Sequence, residues 1–94
     1  VNIGRLLQEA GDYLAAQDHY EQALDTDPDN LLATFNLGTL LEDMGRIDEA
    51  ISVYKQASSF PDAHYNLSRL YELVGQHADA LRHLKAYRSL IDPA

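Results

Sequence analysis

Three glycines divide this chain into three similar parts. Gly11, Gly45 and Gly75 are each followed by a polar residue and a helical run: GDYLAAQDHYEQAL, GRIDEAISVYKQAS and GQHADALRHLKAYR. Five residues after each glycine stand Ala16, Ala50 and Ala80; nine after stand Tyr20, Tyr54 and Leu84. Eight before each stand Ile3, Leu37 and Leu67, followed by Gly4, Gly38 and Ser68. Four before stand Leu7, Leu41 and Tyr71. A fixed period of this kind belongs to chains built from repeated units, each of which must stack on its neighbour to bury an apolar face.

Each column has a physical reason. A glycine can take the left-handed conformation that ends a helix without steric cost. The small residues at 4, 38, 68 and at 16, 50, 80 suit two helices that approach closely. Leu37, Leu40, Leu41 and Met44 share one helix face by their spacing, as do Leu67, Leu70, Tyr71 and Val74, and Ile3, Leu6, Leu7 and Ala10. Pro28 and Pro61 fall between units, where proline opens a helix rather than breaking one. Asp29 and Asn30 are good caps for the helix that follows. The pattern predicts helix pairs near 1–10 and 13–26, 31–44 and 47–59, and 61–74 and 77–91.

Leu37-Gly38, Leu41, Ala50, Tyr54 and Ala57 resemble the tetratricopeptide repeat signature, with Ala16, Tyr20, Ala23 and Pro28 one repeat earlier. The ending ALRHLKAYRSL resembles those of bacterial members. The resemblance implies an all-α fold, a right-handed superhelical array (α-solenoid) of three antiparallel helix hairpins. It implies a single domain over 1–94, with repeats at about 1–30, 31–60 and 61–94. In such arrays the first helices line a concave groove. The expected groove contacts are Asn2, Arg5, Phe35, Asn36, Thr39, Tyr65, Asn66 and Arg69. Asn2, Asn36 and Asn66 share a column, and an amide can both donate to and accept from a peptide backbone. Phe35 and Tyr65 form an aromatic floor beside them, of the kind that anchors interfaces; packing between neighbouring helices explains these two about as well. Some relatives hold acidic tails with groove lysines and arginines. Here Asp62 and Asn66 occupy matching positions, so a neutral, apolar or basic protein or peptide is the expected partner.

Three departures carry information. Thr34 and His64 stand where the family places a large aromatic. Gly45 to Gly75 spans four residues fewer than Gly11 to Gly45, with SSFP replacing LDTDPDN. About one helical turn is therefore missing from the end of the second hairpin, and Phe60 is expected to plug the junction while Pro61 starts the next helix. Tyr87 replaces Ala23 and Ala57, which suggests a side chain that closes the last hairpin against a following one.

Composition narrows the function. The net charge of −8 argues against nucleic acid. The charge is uneven: residues 1–30 carry seven acids against Arg5, whereas residues 61–94 carry four acids and four bases. No run approaches a membrane span. With no cysteine, disulfides and thiolate chemistry drop out, and a cytoplasmic location is the default. His19, His64, His77 and His83 lack a metal-ligand spacing, and Glu42-Asp43 and Asp48-Glu49 point apart, so neither a metal, a cofactor nor catalysis is expected. The expected function is a non-catalytic protein- or peptide-binding scaffold. The alternative is a regulatory or recruiting segment of a larger protein, such as a transcriptional regulator or an enzyme; Val1 in place of Met suggests an excised piece. Self-association through the apolar N-terminal edge of Ile3, Leu6 and Leu7 is compatible with both.

Overall fold

The structure, a computed structural model, describes residues 3–92. Six helices follow one another: α1 (Ile3–Glu9), α2 (Tyr13–Thr26), α3 (Leu31–Asp43), α4 (Ile47–Gln56), α5 (Pro61–Leu73) and α6 (His77–Ile91). They form three antiparallel hairpins, and each helix packs chiefly on its neighbours in sequence. The fold is an all-α solenoid, as the repeat predicts.

The turns inside the hairpins are set by local chemistry. Gly11, Gly45 and Gly75 adopt φ of +83°, +77° and +84°, a region that β-carbons disfavour. The amide after each glycine then reaches back to the helix just ended: Asp12 N to Leu7 O, Arg46 N to Leu41 O, Gln76 N to Tyr71 O, at 2.8–2.9 Å. Those acceptors are the repeating column found four residues before each glycine. Asn30 caps α3 by accepting from Ala33 N at 3.0 Å. Arg46 gives α4 no such cap; Asp48 and Glu49 in its first turn complement the helix dipole instead.

The shortened second junction is observed. Helix α4 has 10 residues against 14 in α2. Pro61 occupies the first turn of α5, and the Phe60 ring lies 5.0 Å from that of Phe35, packed against the core. With one turn removed, a bulky side chain fills the space that a longer helix end would cover.

The core is a chain of inter-hairpin contacts. Ala16, Tyr20 and Leu40 form the centre between the first two hairpins. Ala50, Ile51, Tyr54, Ala57, Ala63, Leu67 and Leu70 form the larger one between the second and third. Leu37 touches both. Ala16, Ala50 and Ala57 are fully buried, as small residues at close helix–helix approaches should be.

Candidate partner-binding face

Tyrosines of the second helices organise the first-helix face from beneath. The Tyr20 ring lies over Gly4 and the Tyr54 ring over Gly38, so closely that a β-carbon on either glycine would collide with the ring. Each hydroxyl then emerges among the first-helix polar residues. Tyr20 donates to Gln8 Oε1 at 2.9 Å, and Tyr54 donates to Glu42 Oε2. The Asn66 side chain lies near the same Tyr54 hydroxyl. Burial first, and then the Glu42 carboxylate, hold the Tyr54 phenol well above the usual tyrosine range, so it remains a donor.

These polar groups tie each hairpin to the next. Gln8 donates to Asp43 Oδ2 at 2.8 Å and to Thr39 Oγ1 at 3.3 Å. Arg5 Nη1 donates to Asn36 Oδ1 at 3.5 Å. Arg69 Nη2 reaches Glu42 Oε1 at 2.6 Å and Asn66 Oδ1 at 3.5 Å. Among the described residues, no buried side-chain nitrogen or oxygen lacks a partner.

The expected groove residues therefore divide. Arg5, Tyr65 and Arg69 are exposed, and Thr39 and Asn66 are half-buried. Asn2 lies outside the described residues. Asn36 differs from the open amide expected of its column: it is 2% exposed, and its carbonyl oxygen serves Arg5. Phe35 is half-buried between the rings of Tyr54 (5.6 Å) and Phe60 (5.0 Å), so it belongs to the junction as much as to any floor. Tyr65 is the exposed member of that column; its ring rests 5.4 Å from that of Tyr87. Outside this column, Leu32 and Leu73 add exposed apolar surface on the first helices.

Spacing along the chain did not reveal the role of Gln8 and Glu42 as hubs, nor a histidine pair joining α5 to α6. His64 Nδ1 lies 2.9 Å from His83 Nδ1. The ring centroids are 5.2 Å apart, which equals that gap plus one ring radius on each side. The two rings thus meet edge to edge along a line, with room for one shared proton. No group of three metal-binding side chains converges among the described residues.

The geometry defines a class: a stack of helix hairpins in which, in the first two, a tyrosine of the second helix packs on a glycine of the first. The profile of the tetratricopeptide repeat family matches residues 1–63, and a second profile of that family matches 61–86. The chain belongs to the tetratricopeptide repeat family. It is 33% identical over 90 residues to the tetratricopeptide repeat and J domain-containing co-chaperone DNJ1 of Cryptococcus neoformans, covering 92% of this chain and 17% of that protein. A solved structure of MamA (AMB-1) superposes with TM-score 0.82 at 29% identity, covering 97% of this chain and 56% of that one. The Yersinia enterocolitica type III secretion translocator chaperone SycD shares the fold, with TM-score 0.87 at 20% identity over 95% of this chain and 70% of its own. The chain spans less than a fifth of its curated relative and about half of MamA. The relatives span bacteria and eukaryotes, so a specifically bacterial origin is not supported. No helix among the described residues is long and apolar enough to cross a membrane.

Proposed function

We propose that this chain is a non-catalytic scaffold that holds a protein or peptide segment along the face formed by α1, α3 and α5. The observation that carries this reading is the division just described. Polar pairs, part-buried between α1 and α3 and exposed between α3 and α5, lock the first helices to one another, while Tyr65, Leu32 and Leu73 and much of Arg5 and Arg69 remain exposed on them. A rigid face that exposes apolar side chains between polar groups loses little entropy on binding. Kinship with a co-chaperone and likeness to a secretion chaperone support a protein partner. On this face Glu9, Asp43, Asp62 and Glu72 outnumber Arg5 and Arg69, which favours neutral, apolar or basic segments over acidic ones. The contacts read as partner-binding are Arg5, Thr39, Tyr65, Asn66 and Arg69, with Phe35 and Asn36 supporting them from below.

A second reading is that this segment recruits a partner for a larger protein, favoured by the small fraction of its co-chaperone relative that it covers. Both readings share one test. A peptide array of matched neutral, basic and acidic sequences would be probed with the wild-type chain and with Tyr65→Ala/Arg69→Ala. Preferential capture of neutral or basic peptides, lost in the double variant while its Tm is kept, supports the face. Capture of acidic peptides, or capture that the double variant keeps, overturns it.

A further inference from the structure

The repeat gives a direct comparison between junctions that are filled and an outer face that is not. In the second junction, α5 covers Ala50, Ile51 and Tyr54 of α4. The same columns in the third hairpin are Ala80, Leu81 and Leu84. With Tyr65 and Glu72 they line an open, largely apolar cavity of about 430 Å³. Its origin is visible in the sequence. Leu84 and Ser68 replace the tyrosine and glycine that interlock in the first two hairpins, so no ring fills this space and no phenol reaches Glu72. Leu81 is 52% exposed, although its column-mate Ile51 is buried.

What fits such a face is also given by the chain. The covering helices carry Asn36-Leu37-Gly38-Thr39-Leu40 and Asn66-Leu67-Ser68-Arg69-Leu70, and their last leucines are buried on the preceding hairpin. One further copy of this pattern exists, ending in Arg5-Leu6 on α1, and there the leucine is 54% exposed. We propose that α1 of a second copy seats on the α5–α6 face, with Leu6 against Ala80, Leu81 and Leu84, so that copies stack head to tail. This extends self-association through the α1 edge by naming the surface that the edge meets; that surface borders the peptide-binding face and shares Tyr65, Arg69 and Glu72 with it, whereas Leu6 and Leu81 lie outside the contacts assigned to peptide.

Polar groups follow the same template. Arg69 reaches back to Glu42 across the second junction; Arg5 stands in the column of Arg69 and Glu72 in that of Glu42. Arg5 already donates to Asn36, but a guanidinium has five donors and serves both. One position departs from the template: Glu9, in the Asp43 column, would face the carboxylate of Glu72, where Asp43 accepts from the neutral Gln8. Lys55 lies over the Tyr71 ring across the second junction, 5.8 Å from its centroid, so its column-mate Lys85 borders the open face. An acid-rich first hairpin thus meets a last hairpin edged by bases. Tyr87 stands where Ala57 meets Ala63 in the filled junction.

Such a contact joins two different surfaces and does not close on itself, so it builds open-ended chains rather than dimers. Sedimentation velocity over a range of concentrations tests this with Leu6→Asp, Leu81→Asp and, as a control, Leu14→Asp at the exposed α2 site. The wild type and the control should show mass rising beyond that of a dimer with concentration. Each end variant alone should lose every species above the monomer. An equimolar mixture of the two should give a discrete 1:1 dimer, because one intact head meets one intact tail. Helicity by circular dichroism checks folding, and Leu6→Gln with Leu81→Gln repeats the test if an aspartate lowers it. A wild type that stays monomeric, an end variant that still dimerises alone, or a mixture of folded variants that stays monomeric overturns the proposal.

Discussion

Gly38 and Tyr54 are fitted to one another: a β-carbon on residue 38 would stand 2.7 Å from Tyr54 Cδ1, and the ring it meets is fully buried. Two opposed effects follow for Gly38→Ala. Alanine favours the helix by up to about 1 kcal/mol, whereas forcing a methyl into a filled core costs about 1–3 kcal/mol. The ring cannot withdraw without releasing Glu42, so the clash wins and urea denaturation should show net destabilisation. The third hairpin holds the compensated form, Ser68 with Leu84. Gly38→Ser should therefore cost less in a Tyr54→Leu background than in the wild type, and additive losses would contradict the pairing.

The Tyr54 hydroxyl is a second point of leverage. Tyr54→Phe keeps the ring and leaves Glu42, whose side chain is 15% exposed, without its phenol partner. A loss of about 1–2 kcal/mol is expected. Tyr20→Phe strips only a neutral acceptor, Gln8, and should cost less under the same denaturant titration.

Acid should loosen the third hairpin through His83. Burial first, then His64 and Arg82, hold its pKa below the ordinary 6.5; Asp79 pulls the other way and Lys55 adds slightly. Across the 2.9 Å contact one imidazole donates and the other accepts, so a second proton would set two N–H groups against each other. A folded pKa that is lowered means full stability above 6.5, lost as pH falls through the folded value. Between pH of about 7.5 and about 5, the Tm should drop further in the wild type than in His83→Asn. Equal drops would show that His83 does not carry the acid sensitivity.

Exposure separates structural from binding roles in the asparagine and arginine columns. Asn36→Ala removes a buried acceptor from Arg5 and should cost about 1–2 kcal/mol of stability. Arg69 is half exposed, so losing its pair with Glu42 should cost under about 1 kcal/mol, while any peptide affinity falls. Thermal unfolding and peptide titration on both variants would reveal the reverse order if Asn36 were an open contact.

The amino-acid sequence by itself determined the number of hairpins, the three turn glycines, the shortened α4 and the place of Phe60. Each of these rests on contacts within a few residues, or on a period, and both are written along the chain. The tertiary structure alone decided that Asn36 is buried, that Gln8 meets Asp43, that His64 faces His83, and that replacing a tyrosine with Leu84 opens a cavity. These depend on how one hairpin is rotated and shifted against the next. A one-dimensional period aligns residues into columns, but it does not say which columns touch or which way a column faces. That was settled by the close packing of Tyr20 on Gly4 and Tyr54 on Gly38, which fixes the two helices of the first and second hairpins against each other and sets the surface on which the next one rests.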